Sequence, residues 1–197
     1  MRRQIAAVIY TVVFCSAVSC SAVLGLVASS SLTVAQQETA KTDHQVYSSI
    51  KDLMESIIDP SADVLWGAVG TVVDREGIHE SLPKTQEDWR DLRRAAVRII
   101  EGGNLLTMPG RDAAPVGTKS DAPGVELEPA QIAALIEQNR QTFDTFAKAL
   151  QVLGSEALRA SEARNAASLL DIGARMENVC ESCHQTFWYP PEKPTTP

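Results

Sequence analysis

The sequence predicts an all-α protein: an antiparallel up-down four-helix bundle with a kinked first helix, set behind an N-terminal signal or anchor segment. Three observations point there. Apolar residues recur at steps of three and four in four separate stretches. No stretch alternates convincingly at the period of two that a half-buried strand needs, and no internal repeat divides the 197 residues. That length is enough for one sizeable core.

The first segment stands apart from that core. Met1, Arg2 and Arg3 make a short basic start, and no charged residue then occurs before Glu38. The apolar stretch from Ile5 to about Ala28 is broken only by small polar residues, the pattern of an export signal. Thr33, Val34 and Ala35 before Gln36 offer a cleavage site, so residues 1–35 read as a signal peptide or membrane anchor and 36–43 as a linker. An uncleaved anchor is the second reading, because the run exceeds the ~20 residues that span a bilayer. A lipid on Cys20, after Ala17, Val18 and Ser19, is the third. All three place the folded part, residues 44–189, outside the cytoplasm, in the periplasm.

Within that part the first helix carries Val46, Ile50, Leu53 and Ile57 on one face. Pro60 lacks a backbone N–H and suits the first turn of a new segment, with Asp59 as its cap. Leu65, Trp66, Val69 and Val73 continue the apolar face, giving one kinked helix or two collinear ones. Residues 77–84 read as a connector. Thr85 and Asp88 resemble a capping pair opening the second helix, whose stripe is Trp89, Leu92, Ala96, Ile99, Gly103 and Leu106. Met108, Pro109 and Gly110 stop it, and residues 109–128, rich in Pro, Gly and Asp, form a long surface loop. Pro129 opens the third helix, with Ile132, Ile136, Asn139, Phe143, Phe146, Leu150, Leu153 and Ala157 along its seam. After a short turn Asn165 caps the fourth, which shows Ala166, Leu169, Gly173, Met176, Cys180, Cys183 and Phe187 on one stripe. Pro190 and Pro191 end it, and residues 190–197 read as a disordered tail.

Charge narrows the partners. The formal net charge is −7, and a cleaved signal would take Arg2 and Arg3 with it and leave the remainder more acidic still. Nucleic acid is disfavoured, because phosphate binding needs clustered Lys and Arg. An acidic surface keeps a protein soluble and suits a cationic-faced protein partner met by electrostatic steering.

Of the four cysteines, Cys15 and Cys20 lie in the signal segment. A bridge between Cys180 and Cys183 would close a very small loop and stabilise little. Together with His184 these two make a C-x-x-C-H sequence, the attachment signature of c-type haem. Residues three apart on a helix lie about 5–6 Å from one another on one face. Two thiols so placed can each bond one haem vinyl group, and the next residue offers its imidazole to the iron. The expected cofactor is therefore one covalent haem c, held by Cys180, Cys183 and His184. Zinc wants four ligands, and only His44 and His79 remain to complete such a set. A redox-active dithiol belongs at the start of a helix after a strand, whereas this pair ends the last helix. A chance match is the bland alternative.

A C-x-x-C-H near the C-terminus, on the last of four helices and after an export signal, resembles the class II c-type cytochromes, the cytochrome c-prime family. Asp59 to Asp63 with Trp66, Gly103 to Leu106 followed by Met108, Pro109 and Gly110, and Phe187 to Pro190 add to the likeness, which covers about residues 44–190. The resemblance implies a left-handed bundle, a periplasmic location, proximal ligation by His184 and a possible homodimer. The long 109–128 loop and the kink at Pro60 depart from the simplest members.

The resemblance also implies that the first helix covers the far face of the iron. Met54 lies there and is the candidate sixth ligand, against the plainer reading of a gap-filling core Met. Met108 is a weaker candidate, Met176 reads as packing, and His44 and His79 as solvated. Trp66, Trp89 and Trp188 are candidate haem walls or helix-packing aromatics, and Asn139 a core amide or a partner for a propionate. The expected role is that of a monohaem electron carrier serving redox partner proteins, with no catalytic residue and not itself an enzyme. A five-coordinate haem protein binding NO or CO, and a haem subunit serving a dehydrogenase, are the alternatives. Membrane contact follows only if the first segment is retained or lipidated.

Overall fold

The computed structural model describes residues 45–189; the signal or anchor segment, the linker, His44 and the tail beyond Tyr189 lie outside them. The described part is mostly helical. Its first helix, α1, spans Ile50–Leu53 and starts later than the apolar spacing suggests. Ser49 and Asp52 set that start by forming a reciprocal capping box: Ser49 Oγ accepts from Asp52 N at 3.1 Å and Asp52 Oδ2 accepts from Ser49 N at 2.8 Å.

The kink expected at Pro60 takes the form of a π-turn over Met54–Ile58, followed by α2, Asp59–Gly67. The Pro60 ring would collide with the carbonyl four residues back and offers no N–H. Widening the preceding turn relieves that collision, and Asp59 N–H donates instead to Met54 O, five residues back. Asp59 is therefore inside the helical path; the cap position is Ile58, without a side-chain bond.

Strands enter where a connector was expected. Gly70–Asp74 (β1) and Gly77–Ser81 (β2) pair antiparallel, with Asp74 opposite Gly77. Asp74 Oδ1 accepts the N–H groups of Glu76 at 2.8 Å and Gly77 at 3.1 Å, and Gly77 takes φ +135, which suits a residue without Cβ. Residue 73 thus belongs to a hairpin rather than to the first helix. The described part is mostly helical, and this one short hairpin is compatible with an all-α fold. Alternation could not announce this hairpin, because every residue of β2 is exposed and neither of its faces meets the core.

The second long helix, α3 (Gln86–Thr107), opens on the Thr85–Asp88 capping box and buries Leu92, Ala95, Ala96, Ile99, Gly102, Gly103 and Leu106. The third is divided: α4 is Pro129–Gln138 and α5 is Arg140–Glu162. Asn139 divides them. Its backbone leaves the helical region at φ −126 and ψ 36, and Leu135 O accepts both its N–H and its side-chain amide at 3.0 Å. The expected seam position at Asn139 is exposed instead. The last helix, α6 (Ala166–Phe187), is capped by Asn165, which accepts from Ser168 N at 3.1 Å.

The 109–128 segment is a strap rather than a free loop. The carbonyls of Asp112 and Ala113 accept from Ile50 N at 2.8 Å and Lys51 N at 3.0 Å, supplying partners to the unsatisfied first turn of α1. Lys51 bridges to Asp121 at 2.7 Å, Ala113 is buried, and Leu127 N donates to Trp188 O at 2.9 Å. Arg111 and Arg140 secure its near end, donating to the carbonyls of Leu105, Leu106 and Thr107 at the close of α3.

One continuous core joins these parts. The α3–α5 contact is the most extensive between helices, followed by α5–α6; α2 touches both α3 and α6, so the four form a ring of neighbours. Glycines allow the closest approaches. A Cβ on Gly103 would stand 2.9 Å from Ala147 O, and one on Gly154 would stand 2.9 Å from Ile99 Cγ2. Met176, wholly buried, packs in this core.

Candidate functional site

Between the π-turn and α6 lies a narrow, mostly apolar cavity of about 40 Å³. Its lining includes Met54, Ile58 and Asp59 from the first helical segments, Leu106 from α3, and Phe143, Phe146, Ala147 and Leu150 from α5. Val179, Cys180, Cys183 and His184 from α6 complete it. The four residues singled out in the sequence thus share one cavity.

Each wall has a local cause. On α6 the C-x-x-C-H spacing sets Cys180, Cys183 and His184 along the side of the helix that turns inward, half-buried beside the core residues Met176 and Phe187. On the opposite wall the π-turn decides the arrangement. At about 100° per residue, an α-helix would put Met54 and Asp59 some 140° apart. The five-residue hydrogen bond stacks Asp59 above Met54, so both meet the cavity. Gly102 makes room behind them: a Cβ there would stand 2.8 Å from Ile58 Cγ1.

The thiols are free and far from reactive. Burial pushes the Cys180 thiol up to about 11, with the Asp59 charge adding to it, and pushes Cys183 up to about 12. Both sulfurs are protonated at neutral pH, the opposite of what a dithiol catalyst requires. Burial likewise raises the Asp59 carboxyl above its ordinary range, although the residue as a whole is exposed; the neighbouring His184 acts in the opposite direction, and Asp63 and Glu55 raise it further. The His184 ring stands 6.3 Å from that of Trp188 and 6.5 Å from that of Tyr189.

None of the three tryptophans lines the pocket. Trp66 packs α2 on α6, donating from Nε1 to Gly173 O at 3.0 Å, while Trp89 and Trp188 lie half-buried against the core. The aromatic walls are Phe143 and Phe146, each edge-on to Phe187. Both phenylalanines were legible as seam residues, since they stand at the helical spacing of Ala147 and Leu150. Asp59 was not, because only a π-turn turns it inward. Met108 is outside the pocket and accepts weakly from Arg111 at 3.8 Å. Asn139, exposed at its helix junction, is outside it too.

One further group of metal-ligating type occurs among the described residues: Asp74, Glu76 and His79, all exposed on the hairpin. Asp74 Oδ1 already takes two backbone N–H groups and lies 3.1 Å from His79 Nε2, which accounts for the cluster as a turn. No helix among the described residues is long and apolar enough to cross a membrane. Compared with family models, with curated proteins and with solved structures, the chain matches none of them.

Proposed function

We propose that this chain is a monohaem c-type cytochrome of periplasmic electron transfer, an up-down four-helix bundle resembling the cytochrome c-prime family. In this reading α1, the π-turn and α2 form the first helix, α4 and α5 the third, and the ring of helix contacts supports the bundle. One observation carries the cofactor: two protonated thiols and an imidazole, at C-x-x-C-H spacing, face one apolar cavity that also holds a thioether. When bound, haem c supplies one-electron Fe(III)/Fe(II) cycling.

The chain's own residues divide the work. Cys180 and Cys183 hold the group covalently, which prevents its loss to the surroundings. His184 supplies the proximal nitrogen. Ile58, Leu106, Phe143, Phe146, Leu150 and Val179 exclude water, so that little solvent reorganises when the charge changes. Met54, on the wall opposite α6, offers the sixth ligand; a thioether there favours the reduced state and an electron-carrying role. The acidic surface suits cationic-faced redox partners.

Intact mass under denaturing conditions tests the reading, using full-length protein co-expressed with haem-attachment machinery. One added haem is the expected result, and an unmodified polypeptide would overturn it. The ligand assignment has its own test. Ferrous protein is expected to be low-spin and indifferent to CO, and Met54→Leu to give a high-spin spectrum that CO shifts at once. If the two spectra coincide, Met54 is wall rather than ligand, and the pocket is that of a five-coordinate haem open to NO and CO.

A further inference from the structure

Among the described residues, Asp59 is the only acidic one lining the pocket, and no Lys or Arg lines it. The charges that act on its carboxyl are those of His184, Asp63 and Glu55, two of them of its own sign. A carboxylate placed there has apolar walls on its cavity side and solvent on the other, since the residue itself is exposed. The part of its field that crosses the cavity passes among apolar side chains and is screened less there than along the surface. The position is also costly to arrange. It needs the widened turn before Pro60, and that turn needs the bare Cα of Gly102 on α3 to lodge Ile58. A regular helix over the same residues would carry Asp59 away from Met54 and out of the pocket.

Resting on the haem reading, we propose that Asp59 is the residue that sets the reduction potential of this site, holding it low by its negative charge. The oxidised iron site carries one more positive charge than the reduced site. A fixed carboxylate at the edge of an apolar cavity stabilises the oxidised form more, and so opposes reduction. Asp59 thereby offsets the pull of a thioether ligand toward the reduced state. It acts as a positioning charge and binds nothing itself. Glu55 and Asp63 share its sign but do not line the cavity, so water screens them.

The experiment is a spectroelectrochemical titration of holoprotein at pH 8, with each sample first shown by intact mass to carry one haem. Asp59→Asn, nearly isosteric and neutral, is expected to raise the midpoint by about 59 mV, a tenfold change in the Fe(II)/Fe(III) ratio at fixed potential. Asp59→Glu is expected to stay near the wild type, while Glu55→Gln and Asp63→Asn move the midpoint by less than half as much. An unchanged midpoint in Asp59→Asn overturns the proposal. So does an equal rise in Asp59→Glu, which would indicate packing, or an equal rise in Glu55→Gln and Asp63→Asn, which would indicate the field of the whole acidic face. If Asp59→Asn takes up no haem, Asp59→Ser is titrated and judged by the same criterion. Wild-type protein that carries no haem sinks the cytochrome reading instead, and the mass measurement tells the two failures apart.

Discussion

With Cys180 and Cys183 both replaced by Ser, the protein is expected to run on a denaturing gel or mass spectrometer as bare polypeptide, with no haem attached. Each thioether needs a sulfur, and Ser has none to offer at either position. A single replacement leaves one attachment point, so Cys180→Ser or Cys183→Ser is expected to retain haem in part. The fold itself should survive: both side chains are half-buried and change little in volume, so a stability loss of about 1 kcal/mol or less is expected by urea unfolding. The competing chemistries leave different marks. A zinc site would add a metal mass only under native conditions, and a dithiol would show a reversible disulfide. The raised thiol pKa values oppose the dithiol, since neither sulfur is a thiolate near neutral pH.

Gly103→Val is expected to cost the fold about 3 kcal/mol, the upper part of the range for overpacking a core. The new Cβ would sit 2.9 Å from Ala147 O and 2.5 Å from Gln151 Cγ. The Gln151 side chain can swing away; the backbone carbonyl cannot, so α3 and α5 must separate along their shared face. That face is the largest contact among the described helices, and Gly154 closes it from the other side against Ile99 and Ile100. In urea unfolding the midpoint should fall by about 1–2 M. Gly67→Ala is the control. Nothing lies within 4 Å of its would-be Cβ, and the position is helical, so the change should be neutral or stabilise by up to ~1 kcal/mol. A Gly103→Val protein that unfolds with the wild type would show that the two helices do not meet so closely.

How much of this was legible beforehand varies by element, for physical reasons. The Thr85–Asp88 capping box, the Pro129 start and the Asn165 cap were readable because they use neighbours in sequence, whereas the Ser49–Asp52 box went unread and Asp59 proved not to be a cap. The core stripe of α3 was readable because one face of a regular helix repeats every three or four residues. The β1–β2 hairpin was not, since every residue of β2 is exposed and such a strand carries no alternation. The break at Asn139 was hidden by its place in an otherwise regular seam. The strap over α1 was hidden too, because its bonds are between backbone groups more than sixty positions apart.

The candidate site divides along the same line. Adjacency along the chain was enough to show which α6 residues stand together, because Cys180, Cys183 and His184 lie within one and a half turns and helical spacing alone puts them side by side. Sequence also named Met54 as the candidate sixth ligand, through the family resemblance and its place on the first helix. Tertiary structure decided that Met54 faces those three across one cavity, that Phe143 and Phe146 rather than any Trp wall it, and that Asp59 joins it. The reason is geometric. A pocket is formed where four helices meet, and which side chains point into it depends on how far each helix is rotated. Here a single widened turn before Pro60 sets that rotation, and one hydrogen bond from Asp59 to Met54 is not something residue spacing can announce.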